Sequence, residues 1–280
     1  MQISPRYDTD PIVRLDGPPG AVGVPLLRQR RRLADTLSSL SPEQWETASR
    51  CEGWRVQDVV AHLTGTDQFW TLAIDAGLAG RPTRFLATFD PKATPASMVE
   101  RVRGASPADA LAAYLDASGA LCASVEALDD AGWNVIAETP VGHVAISALA
   151  HHALWDSWVH ERDVLVPLGI AQVEEADEVV ASLRYVAALS PAFALQSGTA
   201  RAGALALVVE RPAARVVVAV DGDVYVHGGD APDDALVLTG GAVDVLEALS
   251  VRASWREAIP QEHAWLLAGL SEVFEAAPVP

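Results

Sequence analysis

Three polar residues from two distant stretches of the chain have the types and the spacing of metal ligands. Asp156 and His160 are four residues apart in the segment HHALWDSWVHERD, so on a helix their side chains lie one turn apart on the same face. His62 lies among apolar residues in a second helical segment, VQDVVAHLTG. Two imidazoles and one carboxylate can bind Zn²⁺ or a similar ion and still leave coordination positions open for catalysis.

Spacing alone leaves other interpretations open. An aspartate and a histidine at this spacing occur in many helices by chance, and His62 on a half-apolar face also fits a hydrogen-bonded core histidine. His152, one turn before Asp156, is an alternative ligand or a residue that borders the site. Four further histidines lack such spacing and are interpreted as structural or surface residues: His143, His151, His227 and His263.

Four long helical patterns must position the candidate ligands. Apolar residues recur at helical spacing in four stretches, about 24–40, 55–78, 106–128 and 143–168. Four such helices joined by loops predict a four-helix bundle. The basic run from Arg28 to Arg32 predicts a solvated face on the first of them. Residues 81–105, which contain Pro82, Pro91 and Pro95, are predicted to be irregular and to form a lid or a wall of the site.

The pattern changes after about residue 172. A helix is predicted over 173–190, before Pro191, and four strands follow at 204–210, 215–220, 224–227 and 235–239. Two further helices are predicted over 243–251 and 261–274. The chain is therefore predicted to be α+β overall, with a loose N-terminal arm (1–22), a metal-binding four-helix bundle (23–171) and a small α+β domain (172–280).

Composition excludes several classes of function. The formal net charge is −17 and half of the residues are apolar, so the chain has ample core material and repels nucleic acids and anionic membranes. No signal-type stretch or apolar run of membrane-spanning length occurs, which predicts a soluble cytoplasmic protein. Cys51 is interpreted as part of a structural turn. Lys92 is the only lysine, and this arginine bias is typical of a GC-rich, actinobacterial-like genome.

Three motifs follow one another along the chain. The first is LSPEQW (40–45) followed by CEGWRVQDVVAHL (51–63), the second is WDSWVHERDVLVPLG (155–169), and the third is LTGGAVDVLEALSVR (238–252). Their order and spacing resemble the mycothiol-dependent maleylpyruvate isomerase family, which belongs to the DinB-like (YfiT-like) metal-binding four-helix bundles. The third motif is similar to the family's C-terminal domain, which is sterol-carrier-like.

The resemblance implies a divalent metal, usually zinc, and mycothiol as a thiol cosubstrate. It assigns the metal-binding and catalytic roles to His62, Asp156 and His160. The family usually has Glu where this chain has Asp156, and the shorter side chain reaches about 1.5 Å less far. A metal still binds if the helices lie closer together or a water intervenes. Otherwise the metal is held weakly, or is lost while the cavity remains.

Further residues are predicted to lie beside the site. Arg81, Arg84 and Arg252 are candidate substrate-binding residues, because arginine forks hold carboxylates well, and the cleft between bundle and C-terminal domain would hold the substrate. Asp58 either hydrogen-bonds the second nitrogen of His62 or is a favourable acid in a first helical turn. Asp163 faces the rim of the site or binds an arginine in a structural role.

The resulting hypothesis is a metal-dependent thiol enzyme, an isomerase or S-transferase, in which mycothiol attacks a small electrophile. One alternative is a non-catalytic protein that binds small molecules. Another is a metal-free bundle enzyme of secondary metabolism that catalyses cyclisation or elimination. The expected partners are a small-molecule substrate and the thiol, with neither nucleic acid nor membrane, and the sequence leaves both monomer and homodimer open.

Overall fold

A computed structural model describes residues 4–88, 90, 93–255 and 258–274; Pro91 and Lys92 lie outside these residues. The helices are α1 (Gly23–Ser38), α2 (Pro42–Trp45), α3 (Val56–Leu78), α4 (Ala93–Val102), α5 (Pro107–Glu126), α6 (Ile146–Leu165), α7 (Ala176–Gln196), α8 (Ala242–Leu249) and α9 (Trp265–Phe274). The strands are β1 (Val13–Leu15), β2 (Ile136–Thr139), β3 (Gly142–Ala145), β4 (Gly203–Glu210), β5 (Ala214–Val220), β6 (Val224–His227) and β7 (Leu236–Gly241).

Helices α1, α3, α5 and α6 form the predicted four-helix bundle. Both α1 and α3 pack against α5 and α6. The apolar stripe of α1 drives this packing, since Leu26, Leu33 and Leu37 are completely buried. Helix α5 begins as its sequence predicts, with Ser106 accepting a hydrogen bond from the backbone N–H of Asp109 at 3.2 Å. Helix α6 is buried on nearly every side, and its buried residues include polar and charged ones such as His152, Glu161 and Asp163.

The second half builds a five-stranded sheet in the order β1-β6-β5-β4-β7. The predicted strands β4 to β7 are present with ends shifted by at most two residues. The prediction of a loose N-terminal arm is wrong for its described part, because β1 pairs in parallel with β6 at the sheet edge. Ile12 and Val13 are 1% and 2% exposed, so burial of these side chains fixes the segment. The division into domains at residue 171 stays a prediction.

Three short features differ from the predicted pattern. Residues 93–102, predicted to be irregular, form α4, which packs against α3 through the buried Val99. Strands β2 and β3 form a hairpin before α6, where the sequence predicts an earlier helix start. Helix α7 continues through Pro191 to Gln196; a proline there removes one helical hydrogen bond without ending a helix whose side chains are buried around it.

Helix α7 joins the two halves of the fold. It packs against α6 on one side, and against strands β5 and β6 and helices α8 and α9 on the other. By length and composition α7 could cross a membrane, but 83% of its most apolar window is buried within the fold. The helix therefore has the character of a core element.

Candidate metal centre

His62 is positioned by the start of α3. The carboxylate of Asp58 accepts a hydrogen bond at 3.0 Å from the backbone N–H of Arg55, the residue that precedes the helix, and so satisfies a donor at the helix start. His62 follows one turn later, and the ring of Trp54 lies against its imidazole with centroids 5.6 Å apart. Of the two roles proposed for Asp58, the structure has the helix-start role, because its hydrogen bonds go to Arg55.

Asp156 and His160 come from α6, one turn apart as their spacing predicts. Nε2 of His160 and Nε2 of His62 each lie 3.7 Å from Oδ1 of Asp156. The two imidazole rings meet edge to face, with centroids 4.8 Å apart. Helices α3 and α6 pack directly against each other, and this close packing brings the short aspartate within reach of both rings. The structure thus brings together the three residues that the sequence proposes as ligands.

The separations suit a shared cation. At 3.7 Å the Asp156 oxygen is too far from either imidazole nitrogen for a good hydrogen bond. Bonds of about 2.0–2.2 Å to zinc place neighbouring ligand atoms of a tetrahedral site roughly 3.4 Å apart. The three side chains are therefore spaced as ligands around an ion rather than as direct hydrogen-bond partners.

One polar atom of this triad, His62, Asp156 and His160, supports the same conclusion. Oδ2 of Asp156 is buried and has no hydrogen-bond partner, which is costly unless another group satisfies it. Burial acts to raise the pKa of Asp156, but its interaction with His62, and then the charge of His160, hold it well below its usual range. The carboxylate is therefore ionised, as a metal ligand must be. The donor set fits a divalent cation.

A second cluster adjoins the triad on the far side of His160. Nδ1 of His160 donates a hydrogen bond to Oδ2 of Asp163 at 3.0 Å, and the thiol of Cys51 donates to the same oxygen at 3.2 Å. The guanidinium of Arg252 approaches both Asp163 oxygens at 3.0–3.1 Å. The sequence predicts that Asp163 faces the rim of the site or binds an arginine, but its contact with His160 was not predicted. Its spacing three residues after His160 was the available signal, because such residues share a helix face.

The three predicted substrate arginines separate in the structure. Arg252 lies beside the triad, in contact with Asp163. Arg81 and Arg84 follow the opposite end of α3, whose last residue, Leu78, is about 24 Å along the helix from His62 at 1.5 Å per residue. Arg84 pairs with Asp8 and lies over the ring of Tyr7. The placement of Arg81 and Arg84 at the site is therefore wrong.

The segment that contains α4 borders a different space. A cavity of about 480 Å³ lies between α3, α4 and α5, with apolar or small side chains on much of its wall, among them Ala61, Met98, Val102, Ala110 and Ala113. None of the triad residues lines this cavity. The prediction that 81–105 walls the metal site is therefore wrong for α4, because that helix packs on another face of α3.

His152 lies outside the ligand cluster. Its Nδ1 is 2.8 Å from the hydroxyl of Tyr185, and its ring packs against Trp70 and Trp155. Burial lowers the pKa of His152 to about 4, although the charge of Asp156 opposes this. A neutral, hydrogen-bonded imidazole fits the bordering role of the two suggested for it.

Comparison with known proteins agrees with this architecture. Residues 26–165 match the family described as the mycothiol maleylpyruvate isomerase N-terminal domain. The crystal structure of the mycothiol-dependent maleylpyruvate isomerase is similar at a TM-score of 0.62 and 17% identity, over 88% of this chain and 96% of that one. A histidine-to-alanine mutant of that enzyme matches with the same TM-score at 16% identity, over the same shares. No curated protein matches significantly.

The structural likeness, at this low identity, speaks to the fold alone. It confirms the predicted α+β architecture, in which a DinB-like four-helix bundle precedes a C-terminal region. The family match covers the bundle from the first turn of α1 to the end of α6 and so includes all three residues of the triad. This chain belongs to the mycothiol maleylpyruvate isomerase N-terminal domain family.

Proposed function

We propose that this protein is a thiol-dependent isomerase that uses mycothiol and a divalent metal, zinc, held by His62, Asp156 and His160. The observation that carries the proposal is the convergence of three ligand-type atoms beside a buried carboxylate oxygen of Asp156 that lacks a hydrogen-bond partner. Family membership supports mycothiol as the cosubstrate. Maleylpyruvate, the substrate named for the similar enzyme, is the first compound to test.

The residues of the site have different roles. A metal bound there would lower the pKa of a coordinated thiol, so that the thiolate forms at neutral pH. Asp156 contributes a fixed negative charge, and Trp54 packs against His62 and shields that ring from water. Arg252, at the rim beside Asp163, is the arginine placed to attract an anionic substrate toward the triad.

Isomerisation leaves the number and kind of atoms in the substrate unchanged. When bound, the thiol would supply a nucleophilic sulfur that adds reversibly to one carbon of a conjugated cis double bond, with the electron pair of that bond moving toward the neighbouring carbonyl. Rotation about the resulting single bond and loss of the thiolate would then give the trans product. If the carbon–sulfur bond persists, the outcome is S-transfer, which is the second reaction to measure.

The proposal extends to the setting of the protein. The net charge of −17 repels polyanions. A small anionic ligand can still bind where a local cation such as Arg252 counters this charge. We propose a cytoplasmic protein whose partners are a small substrate and the thiol. The choice between monomer and homodimer follows from size-exclusion chromatography with light scattering.

Elemental analysis with a thiol-dependence assay tests the proposal. We expect wild type to contain about one equivalent of metal and to convert maleylpyruvate only when mycothiol is added. The His62→Ala and Asp156→Ala variants should lose both metal and turnover. His227→Ala, a change on β6 outside the triad, is the matched control and should keep both.

Contrary outcomes point to the two alternatives. A wild type that contains no metal, yet binds small molecules without turnover, would be a non-catalytic binding protein. Full activity in metal-free His62→Ala would refute the role of the metal and favour a repurposed bundle enzyme.

A further inference from the structure

The ring of His160 is held from two sides. Its Nε2 faces Asp156 at 3.7 Å, and its Nδ1 donates to Asp163 at 3.0 Å. A carboxylate on Nδ1 fixes the proton on that nitrogen and leaves the Nε2 lone pair directed at the triad. The orientation and the tautomer of this ligand therefore depend on Asp163.

Asp163 is in turn held by residues from outside its own helix. Its side chain is completely buried. Arg252 binds it through Nε and Nη2 at 3.0–3.1 Å, and Nε of Arg50 lies 3.3 Å from Oδ1. The thiol of Cys51 also donates to this carboxylate. A buried carboxylate with this many donors has little freedom to move.

The backbone that presents Arg252 is strained. Helix α8 ends with hydrogen bonds from the N–H of Val251 to Ala248 and from the N–H of Arg252 to Glu247, at 3.2 and 2.8 Å. This ending requires a left-handed residue and normally has glycine there, but the chain has Val251 at φ 59°. Such a conformation is unfavourable for a residue other than glycine, and most of all for a β-branched one. The strained turn sets the direction from which Arg252 reaches Asp163.

An acidic residue of α8, Glu247, also binds the bundle. Glu247 accepts hydrogen bonds from Arg50 at 3.0 and 3.1 Å and from Arg162 at 2.7 Å. Near the end of α8, Glu247 therefore binds two arginines of the bundle. Five residues later, Arg252 binds Asp163, an acid of the bundle. The contacts of Glu247 and Arg252 hold the end of α8 beside Asp163, which in turn contacts the ring of His160.

We propose that Asp163 is a positioning residue for His160 and that Arg252 acts through Asp163, so that α8 in the C-terminal region sets how tightly the triad binds metal. The inference rests on the metal site of the proposed function. It gives Arg252 a role that is separate from attracting substrate.

Titration with cobalt(II) alone tests this role without any assay of turnover. Asp163→Asn keeps the size of the side chain but removes its charge, and Arg252→Gln leaves the Asp163 carboxylate in place. The matched control is Arg184→Gln, because Arg184 pairs with Asp16 away from the triad and is 23% exposed against 24% for Arg252. Thermal unfolding of each variant, without metal, reports its folding.

We expect Asp163→Asn to bind cobalt(II) about 10- to 100-fold more weakly than wild type, with a shifted visible absorption band. Arg252→Gln should change affinity and band in the same direction by a smaller factor, and Arg184→Gln should change neither. Wild-type affinity and spectrum in Arg252→Gln and in any folded Asp163→Asn would overturn the inference while leaving the metal site standing. A wild type that binds no cobalt(II) would overturn the metal site and this inference together.

Discussion

The guanidinium of Arg30 forms a two-pronged ion pair with the carboxylate of Asp67, at 2.7 and 3.1 Å, inside the helical bundle. Their side chains are 1% and 0% exposed. Arg30 also donates to the carbonyl oxygen of Ala153 at 3.0 Å, so the pair links α1 and α3 to α6. The sequence predicts a solvated face for the basic run that contains Arg30; this residue departs from it because Asp67 neutralises its charge in the core.

Breaking this pair should destabilise the fold strongly. We expect Asp67→Ala to lower the free energy of unfolding by about 3–5 kcal/mol, because it leaves the Arg30 charge buried without a counterion. Urea denaturation followed by circular dichroism measures the change. The control is Glu126→Gln, which breaks the exposed pair with Arg31 and should cost less than about 1 kcal/mol. Equal effects in the two variants would contradict the importance of burial.

Replacing either of two helical glycines with alanine should change the stability of the protein, in opposite directions at the two positions. A Cβ on Gly77 would lie 2.5 Å from the carbonyl oxygen of Ile136, whereas one on Gly119 would have no neighbour within 4 Å. Gly119→Ala should stabilise the protein by about 1 kcal/mol through helix propensity. Gly77→Ala should destabilise it by about 1–3 kcal/mol, because α3 must move away from β2. Thermal unfolding of both variants measures the signs, and stabilisation by Gly77→Ala would contradict the close approach.

Stability should rise with pH between about 4 and 6.5. Burial lowers the pKa of His151 to about 4, outweighing its hydrogen bond to the carbonyl oxygen of Ser147. In this window the unfolded chain takes up a proton on His151 that the folded chain does not, so acid favours unfolding, by up to about 3 kcal/mol for this residue. His152 acts in the same direction. His151→Gln should therefore flatten, but not abolish, the rise of the thermal midpoint with pH.

Removal of metal should lower the stability of wild type only. A ligand present at about 100 times its dissociation constant stabilises the folded state by about 2.7 kcal/mol. A chelator should therefore lower the thermal midpoint of metal-loaded wild type and have no effect on His62→Ala. A chelator effect of equal size in both proteins would show that the metal binds elsewhere.

The long elements were predictable and the short ones were not. The helices that carry His62, Asp156 and His160 extend over several turns, so their apolar periodicity is clear in the sequence. Strand β1 has three residues and exists only because β6 is beside it, and α4 is a helix whose single buried side chain is Val99. Such elements depend on tertiary partners, which local patterns do not contain.

The residues of the site also differ in how far the sequence predicts their positions. The spacing of Asp156 and His160 fixes their common helix face. His62 was the candidate third ligand because it lies among apolar residues of another helix, and the family resemblance supported this choice. Arg81 and Arg84 were misplaced because residue type alone says nothing about which end of α3 faces the triad. Arg252 reaches Asp163 across a sequence separation that no local rule covers, through a turn at Val251 that lacks the expected glycine.

The pairing of β1 with β6 constrains how the molecule can be made and divided. A ribosome releases residues 13–15 long before residues 224–227, so the sheet cannot be completed until strand β6 has been made. A fragment that begins after the bundle would expose the edge of β6, an open template for aggregation. Two segments about 200 residues apart in the chain are thus tied to a single folding event.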